Sequence, residues 1–414
     1  MDGGVSEDAT TAARGQKMRL KLPYISRFST QPPKGASRSI ALFADVFFPL
    51  HNGVVFALDG LCRELWITSL SVILVTPKIP RADSEQYAYA DMRICLPSFP
   101  LPGGVGYRGI VPWLTVGLLR QLEGVALVHA HSWFLSGWLA RAVAARKCVP
   151  LILTYHTKLE AYLHYAGPAQ RLVRLCLRSY MRSFAARAQV VTVPTSACRT
   201  ALRELGIDTR IEVLPQGIDT CALDEARPYS RQSLGCGPDE RLILCVARLG
   251  QEKNIELLLA ALARLTTPAR LIVLGSGPRL SALQALGAEL NLSDRVDFVG
   301  HCDRATTARY YRSCDVFAFP SLSETQGLVL AEALYAELPV VAIDTPQGRE
   351  VVAESDAYLV APEAAAFSAA LEDVFCRQTT PALRAARKAV GARYDRRVTT
   401  QAMLDLYNEL LSRA

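Results

Sequence analysis

The sequence predicts an α/β protein of two doubly wound, Rossmann-like domains facing each other across a cleft. Three observations predict it. Short apolar runs of strand length recur along the chain, with longer helical patterns between most of them. Strands buried on both faces and alternating with helices form parallel sheets. The plan occurs twice, in residues 39–217 and in 218–392, around a polar stretch with Gly and Pro at 217–238 that reads as the linker. The length of 414 residues also exceeds one typical core. Such sheets bind ligands beyond the carboxyl ends of their strands, so the cleft between the domains is the expected site.

In chain order, residues 1–38 are polar, with Gly, Ser, Thr and Pro, and are expected to form a flexible tail. Order is expected from Ser39, where SIALFADVF reads as a strand running to a turn at His51-Asn52-Gly53. SVILVT (71–76), ALVHAH (126–131), LILTYH (151–156), VVTV (190–193) and IEVL (211–214) continue the first sheet. RLILCVAR (241–248), RLIVLGSG (270–277), RVDFVG (295–300), DVFAFP (315–320) and PVVAID (339–344) make the second. Residues 393–414 are expected to form a helix that crosses back to the first domain.

Composition limits the function classes. No apolar run reaches the ~18–20 residues that span a bilayer, and the N-terminus carries no apolar secretory stretch. Eleven cysteines are scattered, with no CxxC pair and no Cys/His cluster at zinc spacing. The expectation is a cytoplasmic protein without a metal, its cysteines mostly buried and reduced. Charge is uneven. Residues 1–200 hold 23 Lys and Arg against 11 Asp and Glu, while 201–414 hold 23 against 28. Within 101–200 the count is 12 against 2. A basic first half points to an anionic partner, either nucleic acid or an anionic membrane surface.

The second half carries a constellation. In SLSETQGLVLAEAL (321–334), Glu324 falls in the loop after a strand and Glu332 about two turns into the next helix, which Ser323 or Thr325 is expected to cap. Glutamates eight apart are weak by themselves: Glu204 and Glu212 share the spacing across a break at Gly206 and Asp208. The context adds weight. Gly327 and Leu328 open the helix, whose free amides suit a phosphate. Arg248 and Lys253 follow one strand end, and Gly275 begins a GSGP turn at another. GSGP is no dinucleotide fingerprint, because the third glycine is missing. Together, two cations, a glycine turn and a helix N-terminus suit a diphosphate, and two carboxylates suit paired hydroxyls. The implied ligand is a nucleotide diphosphate sugar.

VARLGQEKNIELLLAAL (246–262), LGSGP, FPSLSETQGLVLAEAL and PVVA resemble the retaining GT-B glycosyltransferases of the group 1, family 4-like type, through most of residues 39–412. The resemblance implies that Glu324 binds the donor sugar, Glu332 the ribose, and Arg248 and Lys253 the diphosphate, with no metal or other cofactor. ADVFFPLHNGVV (44–55) resembles that family's first strand and glycine loop, which makes Gly53 a donor-phosphate contact. TYHTKLEAYLHY (154–165) resembles enzymes that glucosylate diacylglycerol at the membrane surface. His156 is then expected beside the reacting carbon, with Glu160 and His164 as weaker acceptor candidates or an i,i+4 pair. The same-face attack described for that family would let the leaving phosphate take the acceptor proton.

RLVRLCLRSYMRSFAARA (171–188) places Arg171, Arg174, Arg178, Arg182 and Arg187 at spacings of three to five, a basic amphipathic helix that reads as a membrane-surface binder or as a solvated face over the core. LPSFPLPGGVGYRGIVPWL (96–114) reads as a flexible apolar segment that dips into lipid or lines the cleft. The sequence departs from the family where a glycine is usual: Glu337 stands before Leu-Pro, and no glycine lies around Ser355 and Asp356.

The reading is a transferase moving glucose from UDP-glucose to diacylglycerol, peripherally bound to the inner face of the plasma membrane. Other acceptors (phosphatidylinositol, a lipid-linked sugar, a soluble sugar) stay open, as does a binding protein with a dead site. A nucleic-acid binder would explain the charge but not the donor constellation, and the chain lacks an aromatic-basic platform; no nucleic-acid partner is expected.

Overall fold

The protein is described by a computed structural model over residues 25–26, 38–48, 50, 52–68, 70–79, 89–101, 108–111, 115–156, 158 and 170–413. Two sheets organise it. The first has eight strands, in the order Ile25–Ser26, Met92–Leu96, Ser71–Pro77, Ser39–Phe43, Val125–Ala130, Leu151–Thr154, Val190–Val193 and Ile211–Val213. All pairs are parallel except the first, which is antiparallel. The second has six parallel strands, in the order Val296–Gly300, Ala269–Leu274, Arg241–Val246, Val316–Phe319, Val340–Ile343 and Tyr358–Val360.

Each sheet is covered on both faces, which is why its strands are apolar at successive positions rather than alternately. Val316–Phe319 and Val190–Val193 are buried at all four residues. In the first domain one apolar cluster packs Leu139, Val143, Met181 and Phe184 on the sheet. The opposite cluster packs Val55, Leu58 and Leu65 of the helix Gly53–Trp66 together with Leu406, Tyr407, Leu410 and Leu411. The last four belong to the helix Arg396–Arg413, which therefore lies on the first domain.

Several expectations are corrected. Ile25–Ser26, inside the expected tail, adds an edge strand to Met92–Leu96, itself a strand not read from the sequence. Residues 217–238 contain a helix, Thr220–Glu225, capped by the Asp219 side chain, so this stretch is a structured junction. Segment 96–114 holds an antiparallel pair, Ser98–Pro100 with Arg108–Ile110, pinned by Arg108 Nε on Ser98 Oγ at 2.8 Å. Phe99 and Leu101 are exposed there while Ile110 is buried. Among the cysteines, five are buried and four are exposed.

The two departures from the family pattern are joined in space. Glu337 has φ 70° and Glu354 has φ 67°, both in the left-handed region that glycine occupies without strain. The residue in that conformation is thus Glu354, not Ser355 or Asp356. Arg387, 2% exposed, donates to both carboxylate oxygens of Asp356 at 2.7 Å and to the backbone oxygen of Glu337 at 3.1 Å. One buried guanidinium thereby fixes both turns.

Candidate active site

Between the sheets lies a cavity of about 410 Å³. Gly53, His156, Arg248, Lys253, Gly275, Glu324, Gly327, Leu328 and Glu332 all line it, so it collects every expected donor-site and catalytic residue. Glu160 and His164 fall outside the described residues.

The glycines show why the chain must be bare there. Gly275 has φ 133°, and a Cβ would lie 1.9 Å from the carbonyl oxygen of Ala247. A Cβ on Gly53 would meet no atom within 4 Å. Gly53 opens the helix Gly53–Trp66 behind the Asn52 cap, so its small size keeps space beside the helix N-terminus rather than relieving a clash. Gly327, at φ 87°, is itself the N-cap of Leu328–Tyr335, and no side chain caps that helix. This corrects the expectation for Ser323 and Thr325. Thr325 instead donates to the backbone oxygen of His156 at 3.1 Å. The first-turn amides of an α-helix have no intrahelical acceptor, and here Gly327 and Leu328, at the start of the helix, line the cavity.

The two glutamates sit in opposite electrostatic settings. Glu324 forms an ion pair with Lys253 and accepts from Ser321 Oγ at 2.6 Å. Burial works against its ionisation, but the charge and hydrogen bond of Lys253, helped by Ser321 and Lys158, more than offset it and hold the carboxyl below its usual value. Glu332 accepts from the Tyr311 hydroxyl at 2.9 Å. Burial pushes its pKa up, and Tyr311 and Arg304 only partly oppose this. Arg248 pairs with Glu252.

His156 follows the strand Leu151–Thr154. Its Nε2 lies 2.9 Å from His131 Nδ1, and its Nδ1 lies 2.6 Å from Gln216 Nε2. Burial lowers its pKa to about 4, so the ring is neutral near neutrality. Both ring nitrogens are therefore engaged within the protein, which the sequence did not reveal.

Contacts across the cleft complete the site. Gln216 N donates to Gln326 Oε1 at 2.9 Å, and Gln326 Nε2 returns to Gln216 O at 3.1 Å. Glu350 accepts from Ser196 N at 2.9 and 2.8 Å, so a carboxylate of the second domain caps the helix Ser196–Glu204 of the first. Arg304 reaches Asp219 at 3.1 Å and lies over the Phe56 ring.

The basic helix spans Gln170–Ala185. Arg171 and Arg174 are exposed beside Leu172 and Leu175, which are 65% and 66% exposed. Arg178 and Arg182 serve another end. Arg178 donates to Leu205 O at 3.1 Å and Glu204 O at 2.8 Å, and Arg182 lies against Gly206. Terminal carbonyls of the helix Ser196–Glu204 need donors, and these arginines are the nearby cations. Among the described residues, no three His, Cys, Asp or Glu side chains cluster as metal ligands would, and no helix is long and apolar enough to cross a membrane.

Residues 227–389 match the family described as glycosyl transferases group 1, and residues 51–221 match glycosyltransferase family 4. A D-inositol 3-phosphate glycosyltransferase of Kineococcus radiotolerans is 33% identical over 318 residues, covering 68% of this chain and 71% of that one. The chain belongs to the group 1 glycosyltransferases. Another relative of this transferase, the alpha-monoglucosyldiacylglycerol synthase of Streptococcus pneumoniae, is 29% identical over 329 residues, 76% of this chain and 73% of that one. The Anabaena HepE structure in complex with UDP and glucose superposes with a TM-score of 0.72 at 18% identity, over 90% of this chain and all of that one. The transferase thus has the GT-B fold.

The sequence missed Lys158, Tyr311, Arg304, Gln216 and Gln326, all of which line the same cavity. Gln216-Gly217 at a strand exit was a readable signal. The others lie within helical or loop patterns that carry no local mark.

Proposed function

We propose that the transferase moves glucose from UDP-glucose to the free hydroxyl of diacylglycerol while bound peripherally to the inner face of the plasma membrane, without a metal. The observation that carries the acceptor is the helix Gln170–Ala185, which exposes Leu172 and Leu175 beside Arg171 and Arg174. Exposed large apolar groups flanked by arginine suit an anionic bilayer surface. The name of the pneumococcal relative supports the same acceptor class.

In this reading the diphosphate lies on the amides at Gly327 and Leu328, against Lys253 and Arg248, with Gly53 closing from the other domain. Glu324 holds sugar hydroxyls, and Glu332, steadied at one oxygen by Tyr311, holds the ribose. The acceptor oxygen bonds to the anomeric carbon as the carbon–oxygen bond to the diphosphate breaks. The acceptor proton passes to the departing phosphate, whose developing charge Lys253 and Arg248 stabilise. UDP-glucose is an α-glycoside, and the relative's product is named as alpha, which supports retention. A second reading, a soluble inositol phosphate acceptor, has the higher identity of the Kineococcus relative in its favour.

The test is transfer from labelled UDP-glucose to vesicles containing diacylglycerol, with and without anionic lipid, beside Glu324→Gln. A glucolipid that depends on anionic lipid and is absent from the variant is expected. Transfer of glucose to inositol phosphate but not to vesicles would replace the lipid reading.

A further inference from the structure

Gln216 stands at the junction of the two domains and makes three hydrogen bonds of different purpose. Its backbone exchanges two with the side chain of Gln326, two residues beyond Glu324. Its side-chain Nε2 lies 2.6 Å from Nδ1 of His156. An amide NH₂ directed at Nδ1 makes that nitrogen the acceptor, so the ring proton sits on Nε2. His156 Nε2–H is then donated to His131 Nδ1 at 2.9 Å. The proton of His131 falls on its own Nε2, which is buried and has no partner among the described residues. The ring of His156 is thereby set by a residue of the junction, and the junction is tied to the donor loop.

We propose that Gln216 is a positioning residue for the transfer reaction: it holds His156 in the neutral Nε2–H tautomer and couples that ring to the Glu324 loop through Gln326. The proposal rests on the glycosyltransferase reading of the cleft. The charged and titratable groups around His156 are His131 stacked on it with His129 tilted behind, Lys158 two residues along, and the Glu324–Lys253 pair lining the same cavity. Burial keeps all three histidines well below their ordinary values.

Gln216→Glu sets a carboxylate at Nδ1, which favours the imidazolium. The experiment titrates the six histidines of the full chain by NMR, with the His156 resonance identified by its loss in His156→Gln, and follows UDP-glucose transfer against pH. Wild-type His156 is expected to titrate at about 4. In Gln216→Glu it moves up by about 1–3 pH units, and transfer falls with decreasing pH through that new value. Gln216→Leu lowers kcat by about 10–100-fold while KM for UDP-glucose stays within about threefold. An unshifted His156 in Gln216→Glu, or a loss confined to KM in Gln216→Leu, overturns the proposal. If the residue 216 variants fail to fold, Gln326→Leu, which frees Gln216 without touching His156, is held to the same kcat–KM split. A wild-type protein inert toward UDP-glucose would fail the functional reading, and the histidine titration alone would still decide the role of Gln216.

Discussion

Replacing Lys253 by Met removes the cation beside Glu324, and the structure sets the size and sign of the result. The two side chains are 17% and 20% exposed. Breaking a buried pair costs about 3–5 kcal/mol and an exposed one about 0–1; this enclosed but not sealed pair falls near 1–3 kcal/mol. Glu324 now titrates below its unfolded value, so its contribution to stability is present above that value and lost as pH falls through the folded one. Without Lys253, the burial that opposes ionisation prevails. The folded pKa then exceeds the unfolded one, and the sign inverts: Lys253→Met is destabilised most near neutral pH and recovers as Glu324 takes up a proton. Glu324→Gln in the Lys253→Met background removes the unpaired charge and restores about 1–2 kcal/mol at pH 7. Donor binding weakens by about 10–100-fold, the loss of one charge-assisted contact to the diphosphate. Calorimetry with UDP and thermal melts across about pH 4.5–8 measure both effects. A melting deficit of Lys253→Met that is the same at all pH values, or unaltered UDP affinity, would refute the reasoning.

Glu332, raised by burial, lowers stability as pH rises through its folded value, so Glu332→Gln should raise the neutral-pH melting temperature by about 2 °C per kcal/mol while weakening UDP binding. Gly275→Ala drives a Cβ into the Ala247 carbonyl; it should cost several kcal/mol and abolish UDP binding, read by melts and titration. Glu337→Gly relieves a left-handed glutamate and should stabilise by about 0.5–1 kcal/mol, the strain removed less the added chain entropy, checked by denaturant unfolding. Arg171→Gln with Arg174→Gln should weaken binding to anionic vesicles by about 30-fold, roughly 1 kcal/mol per charge, and leave UDP affinity unchanged; flotation assays decide it.

The paired sheets were legible because strands covered on both faces are continuously apolar, as DVFAFP and VVTV are. The lining of the cavity was legible because strand exits carry backbone-driven conformation: Gly275 and Gly327 have φ 133° and 87°, which favour glycine, and that need survives in the letters. Short strands without an apolar run escaped. Met92–Leu96 contains Arg93, which is buried against the Phe47 ring and bonded to Thr76, and Ile25–Ser26 is a two-residue strand paired to it. Long-range pairings escaped too. Nothing near Gln216 in sequence announces His156, and nothing in the arginine periodicity says that Arg178 turns to a helix end while Arg174 stays exposed. Ser323 and Thr325 were reasonable caps by type, but a left-handed Gly327 starts the helix later and releases Thr325 to the facing domain.

The helix Arg396–Arg413 gives the chain an order of assembly. Leu406, Tyr407, Leu410 and Leu411 close the core around Ile40, Leu42 and Leu58, each worth about 1.5–3 kcal/mol of apolar burial, and Tyr407 Oη lies 2.7 Å from His129 Nδ1 in the first domain. A ribosome makes these residues after the whole second sheet. The nascent first domain therefore waits with one flank uncovered and His129 Nδ1 without its tyrosine partner until the second has emerged. Residues 39–217 produced separately would carry that open flank permanently, prone to self-association, whereas supplying 396–413 as a separate peptide should restore it.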